Sequence, residues 1–384
     1  MEFSLTEEQQ QLKDSLRRYL DKTYTFEARR EQLKLAGPRS VKHWQAFAEF
    51  GLLGIGMPEE FGGLGTAESA AEHTMVVMES FGRSLVLEPY LSTVVLCGGL
   101  VRDLGSPAQR AMLLPEIVAG NKIIALAAHE RAGRYQLSHV TTTARRVDDG
   151  FVLNGIKNVA LNADAVDTLI VSARTSGNAG DENGISLFLV ASDTGGLTRR
   201  GYPTVDGSHA AQIVLTDARV VAEAMLGAEH KAYSALAHAI DRGIVAMCAE
   251  AVGAMDALVE QTLEYLKTRK QFGVAIGTFQ ALQHRMVDMF IATEQARSIT
   301  MLATLKVNAA DPKERRRTIA AAKSLVGQSA RQVGQQAVQL HGGMGVTDEL
   351  PISHYFKRLT AIDMTFGDAH YHRARLGDLM AAAN

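Results

Sequence analysis

Residues 140–174 read VTTTARRVDDGFVLNGIKNVALNADAVDTLIVSAR, and the organisation of the whole chain follows from them. Runs rich in Val, Ile, Thr and Leu occupy 140–147, 151–161 and 168–174, with Asp148-Asp149-Gly150 and Asn154-Gly155 as turn signals. Short β-branched runs punctuated this way predict strands. Outward from this stretch the same character holds at 123–128, 185–191 and 212–221. Asp181-Glu182-Asn183-Gly184, Asp193-Thr194-Gly195-Gly196 and Asp206-Gly207 supply further turns. The spacing predicts a compact antiparallel β domain, a barrel or sandwich.

Both flanks change period. Toward the N-terminus, Thr6 precedes Glu7-Glu8-Gln9, a capping-box start, and Leu12, Leu16 and Leu20 follow at helical spacing. Gly51 to Gly65 is Gly-rich with a Pro and reads as a loop; helix resumes near Glu68 and again after Ser106-Pro107, an N-cap followed by Pro at the first helical position. Beyond about residue 228, Ile244, Cys248, Ala251, Met255, Leu258, Thr262 and Leu266 form a long apolar stripe. Asp311-Pro312 opens another helix, with Ile319, Leu325 or Val326, Val333 and Leu340 on one face and His341-Gly342-Gly343-Met344-Gly345 at its end. The expected fold class is α+β multidomain: an N-terminal helical domain (1–119), a central antiparallel β-barrel domain (120–226) and a C-terminal four-helix bundle (227–384).

Length and composition narrow the function. A chain of 384 residues holds two or three domains, and 46% hydrophobic with 21% charged residues is too apolar for disorder. A formal net charge of -2 gives no global attraction to nucleic acid. Two cysteines, Cys97 and Cys248, make no disulfide framework and no zinc-finger spacing. No apolar run nears the roughly 18–20 residues of a membrane span, and Met1 to Glu8 has neither a basic nor an apolar signal-peptide region. A cytoplasmic protein is expected. Walker A, Rossmann and H-E-x-x-H motifs are missing. His370 and His372 lie two apart, a spacing that points them in different directions on a helix; no metal is expected.

Two segments identify a family. Thr268-Arg269-Lys270-Gln271-Phe272-Gly273, followed by Phe279-Gln280-Ala281-Leu282-Gln283, is one, and Gln339-Leu340-His341-Gly342-Gly343-Met344-Gly345 is the other. With Pro58-Glu59-Glu60-Phe61-Gly62-Gly63 they resemble the acyl-CoA dehydrogenase family over essentially the whole chain. The resemblance implies an FAD enzyme that desaturates the Cα–Cβ bond of an acyl-CoA, usually as a tetramer, with an electron acceptor such as electron-transfer flavoprotein. It further implies that Arg269 meets the FAD pyrophosphate and Phe272 the adenosine part. Gln280, Gln339, Leu340, His341, Gly342 and Gly343 would meet the ADP half of an FAD held mainly by the neighbouring subunit. An Arg fork suits a pyrophosphate and a Gly-Gly turn admits close backbone approach. A solvated Arg and a simple glycine C-cap are the plainer alternatives.

The resemblance breaks at the reacting end. Desaturation needs a base for the proton beside the thioester carbonyl. The family usually supplies a Glu just before a Gly, where this chain has Phe366-Gly367, with Asp368 the nearest carboxylate. An isovaleryl-CoA-type branch carries its base on the long helix, as a Glu before an Arg; Asp241-Arg242 stands there, so Asp241 is the expected catalytic base. Pairing with a nearby cation, or with the helix dipole, is the alternative for Asp241. Arg242, with His238, lies toward the expected thioester end and is the substrate-binding candidate. The usual Glu-Pro-x-x-Gly-Ser-Asp reads Glu130-Arg131-Ala132-Gly133-Arg134-Tyr135-Gln136, and the usual Trp-Ile-Thr-Asn reads Val159-Ala160-Leu161-Asn162. The only Trp is Trp44, far from that position. The chain is similar to the small subunit of heteromeric bacterial acyl-CoA dehydrogenases, the pimeloyl-CoA dehydrogenase small-subunit type. Three activities therefore stay open: a dehydrogenase subunit acting through Asp241, a partner completing the FAD site of an intact subunit in a heterotetramer, and a flavin monooxygenase on the same fold.

Overall fold

A computed structural model describes residues 5–34, 40–64 and 70–381. Gly65 and Glu68, the ends given above to the loop and the helix after it, lie outside those residues, as does the start of the N-terminal segment through Ser4. The helices in chain order are α1 (Glu7–Thr23), α2 (Phe26–Lys34), α3 (Val41–Glu49), α4 (Ala70–Ser84), α5 (Gly99–Leu104) and α6 (Pro107–Val118). After the strands come α7 (Tyr233–Thr268), α8 (Gln280–Lys306), α9 (Pro312–His341), α10 (Pro351–Met364) and α11 (Ala369–Ala381). The strands are β1 (Ile124–Ala127), β2 (Thr143–Val147), β3 (Gly150–Leu161), β4 (Thr168–Arg174), β5 (Ile185–Ala191), β6 (Leu197–Pro203), β7 (His209–Val221) and β8 (Met225–Leu226). A hairpin of β9 (Lys270–Gln271) and β10 (Val274–Ala275) follows α7. The chain forms two compact units, Leu35–Ala70 with Leu87–Gly243, and Met1–Lys34 with Ala71–Val86 and Ile244–Asn384.

The sheet unit corrects the expected barrel. Its strands run in the order β6-β7-β3-β2-β4-β5-β8, with β1 also on β4. The sheet is open and mixed, because β1 lies parallel to β4 (Ile124 opposite Thr168) and β2 meets β4 in parallel at Thr143–Arg174. All four residues of β1 and all seven of β4 are buried, as parallel strands covered on both faces require. Strand direction leaves no mark on such continuous apolar runs. Strand β6 went unread because its residues are mostly polar and exposed.

Asn154-Gly155 is not a turn. It lies inside the twelve-residue β3, where register shifts against β7 fall between Leu153 and Gly155 and between Lys157 and Ala160. A side chain at Gly155 would stand 2.5 Å from Thr142 Oγ1 and 2.6 Å from its Cα, so glycine lets Thr142 press onto the strand. Thr142 in turn grips Glu130: its N–H and Oγ1 donate to Oε1 at 2.9 and 2.7 Å. Thr141 donates its N–H at 2.8 Å, and its hydroxyl, to Oε2. Lys157 Nζ, fully buried, donates to Glu130 Oε1 at 2.7 Å and to Ser172 Oγ at 3.0 Å. Burial pushes Lys157 down to about 8 against the pull of Glu130. Burial alone would raise Glu130, but the Lys157 charge and the Thr donors bring it to about 2. Both groups are ionised at neutral pH.

Helices attach to this sheet through capped ends. Ser106 and Gln109 make a capping box at α6, and Gln109 Nε2 also donates to the Glu223 and Met225 carbonyls at 2.8 and 3.0 Å. Trp44 Nε1 donates to the Gly120 carbonyl at 3.1 Å from a fully buried site.

In the helical unit the predicted stripe from Ile244 to Leu266 is buried throughout. Thr6 and Gln9 form the predicted capping box of α1, and Asp311 caps α9 by accepting from the Lys313 N–H at 2.9 Å. Val326 rather than Leu325 completes the buried face of α9. The buried Arg29 of α2 donates from Nε to the Leu85 carbonyl at 2.9 Å and from Nη1 to His354 Nδ1 at 3.1 Å. Arg297 binds both oxygens of Asp256 at 2.6 and 2.7 Å and reaches Glu79 at 3.2 Å. Among the described residues no helix is long and apolar enough to cross a membrane.

Replacing Lys157 by Met leaves Glu130 buried without its counter-ion, and should cost about 3–5 kcal/mol. Denaturant unfolding followed by Trp44 fluorescence checks this, because the only Trp reports on the sheet unit. A loss below about 1 kcal/mol would mean that the pair is not what fixes this corner.

Candidate active site

In the sheet unit an unusual helix stands beside Asn162, at the end of β3. Leu91–Gly98 is a π-helix of eight residues, seven of them buried and none charged. Such turns cluster at functional sites, and nothing in the sequence beyond an uncharged apolar run announces this one. Thr93 Oγ1 ties it to the Ile124 carbonyl of β1 at 3.0 Å, and Ser92 Oγ donates to Asn162 Oδ1 at 3.1 Å. Asn162, at φ 56°, follows β3, whose second register shift leaves Val159 at φ 53° and half exposed. An apolar side chain thus occupies the position where the family usually has Trp.

Asp241 lies in the first turns of α7 and is buried, 3% exposed. Its neighbour Arg242 points elsewhere. Arg242 Nη2 stands 2.8 Å from Asp103 Oδ2, and Arg102 Nε donates to Asp103 Oδ1 at 2.7 Å. Burial would raise the Asp103 carboxyl, but the Arg102 hydrogen bond and the Arg242 charge hold it below its ordinary range. Asp103 was not a sequence candidate; only its place in Arg102-Asp103 gave a sign that it was paired.

In the helical unit the structure brings the two ADP-type segments to one end. The Tyr265 ring, in the last turns of α7, stacks on His341 at 4.3 Å, at the end of α9. The Arg269 N–H continues the helix to the Tyr265 carbonyl at 2.8 Å before the β9–β10 hairpin turns the chain toward α8. Arg269, Gln280 and Gln339 are exposed, and no side chain among the described residues pairs with Arg269. Phe272, at the hairpin tip, is 92% exposed at φ 55°, with only the Phe279 edge nearby at 6.3 Å. Gly342, at φ 61°, and Gly343 are exposed with open space on their side-chain sides. Leu340 and His341 are buried and act from within: His341 Nδ1 donates to the Ala337 carbonyl at 2.8 Å. A bare guanidinium, a bare aromatic ring and an open glycine edge suit an adenosine diphosphate group.

The segment that should carry a Glu makes a tight turn. Phe366 is at φ 58° and Gly367 at φ 107°. His372 Nε2, fully buried, donates to the Phe366 carbonyl at 2.9 Å. Asp368 accepts the Tyr371 N–H at 2.8 Å and so caps α11, which assigns it a structural task.

Comparison with known proteins identifies the family. Residues 6–121, 125–218 and 233–380 match the acyl-CoA dehydrogenase N-terminal, middle and C-terminal domains. The probable acyl-CoA dehydrogenase YngJ of Bacillus subtilis (strain 168) is 30% identical, over 97% of this chain and 98% of its own. Mitochondrial isovaleryl-CoA dehydrogenase of Arabidopsis thaliana is 29% identical, over 96% and 90%. Among solved structures, the ChsE4–ChsE5 complex from Mycobacterium tuberculosis superposes with TM-score 0.89 at 26% identity, covering 99% of both chains. The chain belongs to the acyl-CoA dehydrogenase family of flavoenzymes, oxidoreductases acting on acyl-CoA thioesters.

Burial pushes His372 from its ordinary 6.5 down to about 4, so the folded protein binds fewer protons than the unfolded chain between those values. Its contribution is complete above about pH 6.5 and is lost as pH falls toward about 4, at most about 3 kcal/mol. Thermal unfolding from pH 7.5 to 5 should show a falling midpoint, and His372→Gln, which still donates to Phe366, should flatten it. An unchanged slope in the variant would assign the acid sensitivity to other buried groups.

Proposed function

We propose that this chain is a subunit of an FAD-dependent acyl-CoA dehydrogenase in which Asp241 is the base. The observation that supports it is a buried carboxylate at the head of the α7 stripe, in a chain whose other base position holds Phe366. Likeness to an isovaleryl-CoA dehydrogenase, the branch in which the resemblance puts a base on this helix, supports the same choice. Bound FAD supplies a hydride acceptor for the β-carbon. Asp241 takes the α-proton and becomes a carboxylic acid, while the electron pair of that C–H bond enters the new double bond. Removed from water, a carboxylate needs little solvent reorganisation to accept that proton. Arg269 meets the pyrophosphate and Phe272 the adenosine, with Gln280, Gln339 and the Gly342-Gly343 edge completing the ADP contacts. The chain works as a tetramer, and its electron partner would be an acceptor such as electron-transfer flavoprotein.

A heteromer is the second reading. The exposed ADP-type end is intact, while Val159, Leu161 and Phe366 replace the residues usual at the flavin ring and base. A structural neighbour solved as a complex of two differently named chains, ChsE4 and ChsE5, favours this assembly. In it the chain completes the cofactor site of an intact subunit.

Flavin content decides between them. Under the first reading the lone chain purifies yellow, bleaches anaerobically with a suitable acyl-CoA, and loses bleaching at least a hundredfold in Asp241→Asn, about the contribution of a general base. Bleaching as fast in Asp241→Asn as in the parent would remove Asp241 as base. A colourless lone chain that gains FAD on co-expression with a full-motif subunit would establish the partner role. In either assembly Arg269→Ala should weaken FAD retention about tenfold or more, measured by FAD release on dilution.

A further inference from the structure

Helix α2 buries no apolar side chain: its two buried residues are Arg29 and Gln32. Nine residues are too few for a helix to persist by itself in water, so its contacts to the rest of the helical unit must hold it. The buried Arg29 supplies them. Its Nε donates to the Leu85 carbonyl at 2.9 Å, just past the end of α4, where Leu85 sits at φ 53°. Its Nη1 meets Nδ1 of the buried His354, on α10, at 3.1 Å. A guanidinium can only donate, so Nδ1 offers its lone pair and the ring hydrogen sits on Nε2. From there it is donated to the Asp348 carbonyl at 3.3 Å. The imidazole in this contact is therefore neutral. Phe26, at the start of α2, stands edge-on to the same ring, with centroids 5.0 Å apart.

We infer that His354 is a pH-sensitive latch for α2: a proton on Nδ1 breaks the Arg29 contact and releases the helix together with the Leu85 turn. Protonation sets an N–H against a guanidinium N–H and brings two buried cations to contact distance. The charges around the ring oppose that proton. Arg29 and Arg30 come from α2, Arg30 with Cζ 5.9 Å from the Phe26 ring, and Lys357 comes from α10. The acid facing them is Asp348, with Oδ1 3.8 Å from His354 Nε2, but it is mostly exposed and already takes Lys357 Nζ at 2.8 Å. Tyr355, pushed up to about 12 by burial, stays neutral and donates its hydroxyl to the Arg83 carbonyl. Burial, with the Arg29 and Lys357 charges, holds His354 below its ordinary 6.5, against the pull of Asp348. The closed latch thus binds fewer protons than the released one, whose ring returns to about 6.5. Attachment of α2 is complete above about pH 6.5 and weakens as pH falls below it.

Hydrogen–deuterium exchange of the full chain at pH 7.5 and pH 5, corrected for the chemical pH dependence of exchange, reads the latch. Amides of α2 should lose protection by about ten- to thirtyfold at pH 5, the shift expected when an imidazole regains a pKa near 6.5 on release. Amides of α9 should keep theirs. His354→Asn puts a carbonyl oxygen near the place of Nδ1 and cannot take the proton, so its α2 should be equally protected at both pH values. A loss in α2 below about threefold, an equal loss in α9, or a full loss in His354→Asn would each overturn the inference. Where that variant does not fold, the nitrogen-15 resonances of the His354 ring in the parent decide. A lone pair on Nδ1 at pH 7.5, protonated in step with the α2 loss, upholds the latch. A hydrogen on Nδ1 at pH 7.5, or an α2 loss that does not follow the ring's titration, overturns it.

Discussion

The sheet unit depends on one buried ion pair. Lys157 and Glu130 are ionised in a place that excludes water, and such a pair holds only where every remaining donor and acceptor is met. That requirement fixes much of the surrounding chain. Thr141 and Thr142 must arrive beside Glu130, so the loop after β1 closes there before β2 begins. Gly155 must lack a side chain, so that Thr142 can press on β3. Ser172 of β4 must face Lys157 across the sheet. The second β3 register shift comes directly after Lys157, and through it the strand presents Val159 and Asn162 at positive φ. The geometry of the candidate flavin edge is thus set by a polar cluster that does no chemistry itself.

The local signals in the sequence were reliable where one residue type had one physical use. The Thr6–Gln9 box and the Ser106 and Asp311 caps formed as read, because a hydroxyl or carboxylate just ahead of a helix has few partners other than the orphan N–H groups two or three residues on. The apolar stripe of α7 was equally plain. Features that depend on distant chain were not legible. Whether β1 lies parallel or antiparallel to β4 is decided by the route of the intervening residues 128–167, and four buried apolar residues read alike either way. Asn154-Gly155 has the composition of a turn, and only the approach of Thr142 makes it a bulge. A π-helix has no compositional signature to read.

Site residues divide along the same line. The family resemblance located Arg269, Phe272 and the Gly342-Gly343 turn by motif, and the structure gives them the exposure that a ligand from outside the chain would need. Phe272 is telling, since an aromatic ring 92% exposed at a strained backbone angle is unfavourable in water alone. Covering that ring by a cofactor or a neighbouring subunit would offset the cost, in keeping with the proposed ADP contact. At Phe366 the turn geometry persists around a side chain that cannot take a proton, held by His372 and by the Asp368 cap. A backbone shape and the chemistry it once suggests are separable, and here only the shape remains.

Arg242 and Arg269 make the same separation for charge. Both are arginines in motif positions, Arg269 expected at the pyrophosphate and Arg242 toward the substrate thioester. Arg269 keeps its guanidinium in solvent with no side-chain partner among the described residues, so an external phosphate would meet a cation whose hydrogen bonds to water are cheaply exchanged. Arg242 lies against Gly99 and forms an ion pair with Asp103, so its charge is partly met within the chain. The difference comes from one aspartate and one missing side chain, neither of which belongs to the motif that drew attention to Arg242. What a conserved-looking cation can bind is therefore decided by the acids and the empty space around it, and those are visible only once the chain has folded.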